Sequence, residues 1–537
     1  MSLGARARMR PVLYPAAILV AFVLNLLVAT GVSPYAAGRP LIAAVAIGLL
    51  APWLAGLATA SRDRAGVLGA IMVLMVLSAG TPTVIVLCVV TLALVGLQPH
   101  LERRRRTLPA NARDPWSVAT RVLTMGAVIL LVAVGIKAVQ MGRVEVFVQD
   151  LVAESPLRSH PVAAGPTSPQ APSMVFILLD GYPRADKLQS EFGIDDSAFI
   201  NALRAQDFAV ADHSRSNETS TALTLAQMFN YESASQIASR LDGAAPLWRV
   251  TINGGAFFSD LHRLGYETVA VSSGFEDVAL RRADTFVDTG QLNEFESVTA
   301  EVAGLSALAD ALLPNLGADQ DRARILDAFE VAEDQAQSLG TSRKFVFVHV
   351  VAPHSPPLFD AAGQPLDVPG FALAYRDVLE ISQYGFNGYV RRLEGELQFV
   401  NERTLQVVDT VVKADPGAVV VVFSDHGSGA PSREPGATSP YADLRTANLL
   451  AVRSPGHAGI IDDRSTLANL LPRLLRAYTG SGPADVPETI FAWTGDPATS
   501  FYFERPDLLR TTRLSSRRRA DARSAVAVRT GGAHPPG

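Results

Sequence analysis

The stretch Ala418-Val-Val-Val-Val-Phe-Ser-Asp425-His426-Gly427 decides how this chain is read. Its apolar run is unbroken from Ala418 to Phe423. A strand that is apolar at every position is covered on both faces, as in a parallel sheet between two layers of helices. A carboxylate, an imidazole and a glycine follow directly. In open α/β sheets, sites form beyond the carboxyl ends of the strands. A carboxylate oxygen beside an imidazole nitrogen is an ordinary ligand pair for zinc or manganese.

Working outward, the same arrangement recurs. Ser173-Met-Val-Phe-Ile-Leu-Leu179 runs into Asp180-Gly181, and Lys344-Phe-Val-Phe-Val-His-Val-Val351 runs into Ala352-Pro353-His354. Glu267 to Ser272 is a weaker run of the same kind. Helical patterns at Asp196 to Gln206 and Asp321 to Gln337 lie between them. Strands alternating with helices predict an α/β catalytic domain whose central sheet is mostly parallel and covered by helices. Taken alone, Asp180 reads equally well as a turn or helix-cap residue. The segment Ser216 to Asn230 predicts an amphipathic helix with Thr219 near its start. A hydroxyl there is either an N-cap or part of an anion site made by free backbone N–H groups. Thr219, Ser220 and Thr221 are adjacent hydroxyls. Successive helical side chains diverge by about 100°, so only one of them can face a fixed point.

The first part of the chain is different. Hydrophobic residues make up 48% of the sequence and charged residues 18%, and the apolar ones crowd toward the start. Pro11 to Val32, Pro40 to Ala60, Gly66 to Leu97 and Trp116 to Val139 are apolar enough for spanning helices, which need about 20 residues. The third stretch carries Gly80-Thr81-Pro82-Thr83 at its middle, turn chemistry that predicts two short helices and five spans in all. Arg6, Arg8 and Arg10, then Arg62 and Arg64, then Arg103 to Arg106 with Arg113, fall on one side only if that stretch crosses twice. With that side cytoplasmic, the catalytic domain is outside. The expected divisions are a transmembrane domain over 1–141, a linker over 142–172, a catalytic domain over 173–502 and a disordered basic tail over 503–537. A net charge of -5 gives no reason to expect nucleic acid as a partner. The single cysteine, Cys88, excludes internal disulfides and thiolate metal clusters.

Four motifs in order resemble the alkaline-phosphatase/sulfatase superfamily, and within it the lipoteichoic acid synthases and lipid A phosphoethanolamine transferases. The strand leading into Asp180-Gly181 is similar to the family's first metal carboxylate. The helix from Thr219 is similar to its nucleophile helix, Ala352-Pro353-His354 to its substrate-side histidine motif, and Phe423-Ser-Asp425-His426-Gly427 to its late metal pair. The resemblance covers roughly Ser173 to Leu475. It implies one divalent metal ion, zinc or manganese before calcium or magnesium, held by Asp180, Thr219, Asp425 and His426. Thr219 would be the nucleophile and His354 a second catalytic residue. It further implies a multi-pass inner-membrane enzyme with an extracytoplasmic catalytic domain, membrane lipids as partners and a phosphate ester or phospholipid as substrate. Water as the acceptor would make the same residues a phosphodiesterase, phosphatase or sulfate-ester hydrolase. A broken metal set would leave an envelope scaffold. The lipoteichoic and phosphoethanolamine enzymes usually have Glu at the position of Asp180, and no Cys/Ser-x-Pro-x-Arg motif of the true sulfatases surrounds Thr219. His349, inside an apolar strand, reads as a hydrogen-bonded core residue. His457 is a weak candidate for the late substrate-binding histidine of some relatives, His213 closely precedes Thr219, and His262 reads as a residue at a helix C-terminus.

Overall fold

The structure is a computed structural model. It describes residues 12–77, 114–153 and 171–504, apart from short breaks at 60, 234–235, 238–247, 306–311, 314, 341, 369–376, 431–439 and 494–501. The turn at Gly80, the expected fourth span, Cys88, the Arg103 to Arg106 cluster and the C-terminal tail lie outside the described residues.

Among the described residues, four α-helices form the N-terminal region: α1 (Tyr14–Thr30), α2 (Gly38–Ala58), α3 (Arg62–Leu77) and α4 (Pro115–Ala153). Among the described residues, two segments are long and apolar enough to cross a membrane, Pro34–Leu57 and Pro115–Arg143. α1 is apolar but shorter. α3 ends at Leu77, just before the predicted turn. α4 continues past residue 141 to Ala153, into the segment read as linker. The physical reason lies in composition: the first Pro after the helix start is Pro156, so nothing in Gly142 to Ala153 breaks the helix.

The rest of the described chain is built on a seven-stranded sheet. Its strands are β1 (Met174–Leu179), β2 (Ala209–Val210), β3 (Glu267–Val271), β4 (Thr285–Val287), β5 (Lys344–Val350), β6 (Val419–Phe423) and β7 (Leu450–Arg453). The order is β2-β7-β6-β1-β5-β3-β4. β6, β1, β5, β3 and β4 pair in parallel. β7 runs antiparallel to β6 and to β2, so the sheet, parallel in most of its pairings as expected, is mixed at this edge. The short run Leu450–Arg453 carries only four residues and gives little warning of its direction in sequence. β8 (Phe491–Trp493) and β9 (Tyr502–Glu504) form a separate antiparallel pair.

Every residue of β1, β5 and β6 is buried. Alternate side chains feed two cores, one on each face. Val175, Ile177 and Leu179 pack with Val346, Val348, Val420 and Val422 on the first face. That face is covered by α5 (Ser197–Ala205), then by α10 (Leu316–Gln337) and α11 (Asp377–Ala414), numbered with the helices between them given next. Met174, Phe176 and Leu178 pack with Phe345, Phe347, Val421 and Phe423 on the second. It is covered by α6 (Thr221–Asn230), α7 (Trp248–Asn253), α8 (Ala256–Arg263) and, later in the chain, α13 (Leu470–Thr479). α9 (Glu294–Val302) packs Phe295 against the N-terminal helices, and α12 (Pro440–Thr446) adds Leu444 to the first core. The period of two in a strand explains how one apolar run serves both cores.

The helical region meets the sheet domain at α9. Phe295 is fully buried among Leu19, Val23 and Leu27 of α1 and Ala44 and Ala51 of α2. Arg39 of α2 donates to both carboxylate oxygens of Glu296, at 2.6 and 2.7 Å, and to the carbonyls of Gly290 and Gln291. Glu296 also accepts from the Asn293 N–H while Asn293 caps the Glu296 N–H, a reciprocal capping box. Glu296→Gln keeps an oxygen for the cap and weakens the ion pair, which is half open to solvent on the Arg39 side. It should cost under about 1 kcal/mol. Glu296→Ala loses both and should cost roughly 1–2 kcal/mol. The thermal unfolding midpoints of the two variants check the order; equal midpoints would mean that the cap contributes nothing.

Candidate active site

Three strand ends converge. Asp180 follows β1, Asp425 and His426 follow β6, and His354 follows β5 by four residues. β1 is the direct neighbour of both β5 and β6, and parallel pairing sets their carboxyl ends side by side. One ligand atom from each of Asp180, Asp425 and His426 lies within 4.8 Å of the others. The His426 Nε2 is 3.2 Å from Asp425 Oδ2 and 3.7 Å from Asp180 Oδ1.

All three residues are buried. Asp180 Oδ1 and Asp425 Oδ2 accept no hydrogen bond, although each is shielded from water. Buried acceptors normally have a donor. Two carboxylates presenting bare oxygens to one imidazole lone pair fit a divalent cation, which would supply the missing partner and offset the charge. The other oxygens are spoken for. Asp425 Oδ1 accepts from the Gly181 N–H at 3.2 Å. Asp180 Oδ2 sits 3.0 Å from His349 Nε2. Burial opposes ionisation of Asp180, but His354, His349 and His426 outweigh it and hold its carboxyl well below the usual range. Burial, followed by the adjacent Arg445, pushes His426 down to about 4, so its imidazole is neutral at pH 7. His426 Nδ1 is 2.9 Å from the Gly427 carbonyl, which can only accept. The proton therefore sits on Nδ1 and the lone pair on Nε2.

Glycines let these loops approach. Gly181 has φ +71°, a left-handed conformation that side chains disfavour. Gly427 lies against α12, its N–H donating to the Arg445 carbonyl at 2.6 Å. A Cβ there would stand 2.2 Å from the Leu444 carbonyl oxygen and 2.5 Å from that of Ala447. Both obstacles are backbone, so neither can rotate away.

Thr219 is buried, and its carbonyl is tied to the site through Arg445. α6 begins at Thr221, and Ser220 is its N-cap, its side chain accepting from the Leu223 N–H. The cap is therefore Ser220, and among the described residues the Thr219 hydroxyl makes no hydrogen bond. Arg445 joins Thr219 to the metal-capable loop. Its Nε donates to the Thr219 carbonyl at 2.9 Å, its Nη1 to the Gly427 carbonyl at 3.3 Å, and its Nη2 lies 2.8 Å from His426 Nε2. Thr224 of α6 donates to the Asp425 carbonyl at 3.0 Å, a second tie between the helix and the loop. His354 is half-buried, its ring 6.3 Å from that of Phe275.

The sulfatase family profile matches residues 172–481, more than half of the chain. The chain belongs to the sulfatase family. It is thus a sulfatase-like enzyme of the alkaline-phosphatase/sulfatase superfamily. No curated protein matches the chain. Among solved structures it is similar to the C-terminal periplasmic domain of EcEptC from Escherichia coli, at 12% identity and TM-score 0.40, covering 64% of this chain and 94% of that one. It is also similar to the soluble domain of lipooligosaccharide phosphoethanolamine transferase A from Neisseria meningitidis, at 14% identity and TM-score 0.35, covering 57% and 89%. The integral membrane form of the same Neisseria protein aligns at 12% identity and TM-score 0.36, over 86% of this chain and 94% of that one.

In this sulfatase-family chain, sequence reasoning did not single out Arg445, and it read His349 only as a core residue. His349 is a hydrogen-bonded core residue, and its partner is Asp180. Its odd place in an apolar strand was the available signal. Arg445 had none, because it lies 18 residues beyond Gly427 in sequence. Three other histidines find partners elsewhere: His213 pairs with Asp463, His262 with Asp284, and His457 packs edge-on against Tyr478. Gly427→Ala should abolish turnover and metal retention together while the sheet still forms. Metal analysis of the purified variant beside its circular dichroism checks this; full metal content would place the Cβ in open space.

Proposed function

We propose that the protein is a membrane-anchored phosphotransferase that takes a phospho-head group from a lipid through a covalent phospho-threonine. The single observation supporting this reading is the convergence of Asp180, Asp425 and His426 on one point, with Thr219 tethered to the same loop by Arg445. In this reading Asp180, Asp425, His426 and the Thr219 hydroxyl hold one divalent ion, zinc or manganese given the mix of carboxylate and imidazole. When bound, such an ion lowers the pKa of a coordinated hydroxyl and stabilises charge on a phosphoryl oxygen.

The residues of the chain then divide the work. Thr219 Oγ releases its proton to solvent and attacks phosphorus. The new P–O bond forms as the bond to the lipid alcohol breaks, and His354 gives that leaving oxygen its proton. An acceptor hydroxyl, or water, attacks the same phosphorus, and Thr219 leaves with a proton regained. Ser220, already serving as the helix cap, is the less available hydroxyl. An intact ligand set argues against a scaffold without activity.

The membrane reading has five spans with the catalytic domain outside, and the apolar helices α2 and α4 support it. Confinement of enzyme and lipid to one surface gives the anchor a purpose. A reporter active only outside the cytoplasm, fused after residue 170, should give signal; activity of a cytoplasm-only reporter there would overturn the topology.

Thr219→Ala should eliminate turnover with metal content and folding nearly intact, while Ser220→Ala and Thr221→Ala retain substantial activity. Mass spectrometry of the wild-type protein after exposure to membrane phospholipids should find the added group on Thr219, and analysis of the products separates transfer from hydrolysis. Normal turnover by all three variants would end the covalent mechanism.

A further inference from the structure

His426 Nε2 has one lone pair and two claimants. Its other nitrogen is protonated, because it faces the Gly427 carbonyl at 2.9 Å. A neutral imidazole accepts at one nitrogen only. Arg445 Nη2 stands 2.8 Å from that nitrogen, and a guanidinium is always a donor. An N–H bond to Nε2 and ligation of a cation by Nε2 therefore exclude each other.

When Nη2 leaves Nε2 the planar guanidinium of Arg445 turns about its Nε, giving up the long 3.3 Å contact of Nη1 with the Gly427 carbonyl and keeping the 2.9 Å bond of Nε to the Thr219 carbonyl. Its helix, α12, is clipped to the loop before Thr219. Arg215 donates to Thr446 Oγ1 at 2.9 Å and pairs with Asp443, which Lys187 also contacts. The Ser216 N–H donates to the Thr446 carbonyl at 2.8 Å. The guanidinium thus has a fixed root, one firmly anchored nitrogen at the Thr219 carbonyl and one terminal nitrogen on His426.

Charge gives that nitrogen a use. Two carboxylates, a neutral imidazole and a divalent ion sum to zero. Arg445 makes the site positive, as a tetrahedral dianion requires. An Arg fork is also suited to holding phosphate or sulfate oxygens by more than one N–H bond.

We propose that Arg445 competes with a divalent cation for His426 Nε2, and that its displaced Nη2 holds the tetrahedral anion at Thr219. The arginine would then both cap the histidine and bind the transferred group, so that substrate-binding ability appears only as the metal is taken up. This rests on the ligand set of the preceding section, and a zinc titration of the wild-type chain tests that set by itself.

The test uses the full chain in detergent, stripped with chelator. Zinc alone is titrated by calorimetry, and inorganic phosphate is then titrated into the zinc-loaded protein. Arg445→Gln removes a competing donor and a repelling charge, so zinc should bind more tightly, by roughly three- to tenfold. Phosphate should bind at least about tenfold more weakly. A merely structural arginine predicts the opposite first result, since a loosened loop holds zinc less well. Weaker zinc binding, or unchanged phosphate binding, by Arg445→Gln overturns the proposal. Should that variant fail to fold, Arg445→Lys keeps the charge but loses the fork, and the same two readouts apply. Absence of zinc binding by the wild type would instead overturn the ligand set.

Discussion

The structure turns on two carboxylates buried beside one imidazole at the middle of the sheet. Asp180 and Asp425 are almost completely excluded from water, and isolated buried carboxylates are strongly disfavoured. The fold surrounds them with compensation from several directions. The Gly181 N–H and Ser424 face Asp425, His349 faces Asp180, and Arg445 stands over His426. What remains uncompensated is one oxygen on each carboxylate, both turned to the same place. That residue of unmet electrostatic demand is what a divalent cation would satisfy. It also explains why the loops around it are so tightly tied to their neighbours.

The ties run through backbone. Ser424 receives the Tyr182 N–H on its hydroxyl, and its carbonyl accepts from Asn448, so the loop after β6 is held from both sides. Gly427 is pressed against the end of α12, which brings Arg445 into reach of Thr219. Thr224 fastens α6 to the Asp425 carbonyl. Glu396, fully buried and pushed up to about 8 by that burial, accepts the Leu358 N–H and so supports the loop that carries His354. Preorganisation of this kind places catalytic groups by rigid elements, which is what makes short-range electrostatics effective.

The junction with the helical region sits close to the same machinery. α9 starts where the Glu294 N–H donates to the Gly274 carbonyl, one residue before Phe275, whose ring neighbours His354. The Arg39–Glu296 pair at this helix connects α2 to the wall of the site.

The sequence by itself determined the α/β class, the three strand ends and the Asp180, Asp425, His426 set, together with the apolar character of the first region. It could do so because an all-apolar strand and the polar residue that ends it are local patterns, legible over ten residues. The helices at Ser197–Ala205 and Leu316–Gln337 were legible for the same reason, through their period. Only the tertiary structure decided the antiparallel direction of β7, the partner of His349, the capping role of Ser220 and the position of Arg445. Each of these depends on which strand lies beside which. Pairing of β1 with β5 sets Asp180 opposite the end of the strand holding His349, 169 residues away, and α12 returns Arg445 to Thr219 across 226. Contacts at such separations leave no periodic trace in sequence, because they are selected by the packing of the whole sheet.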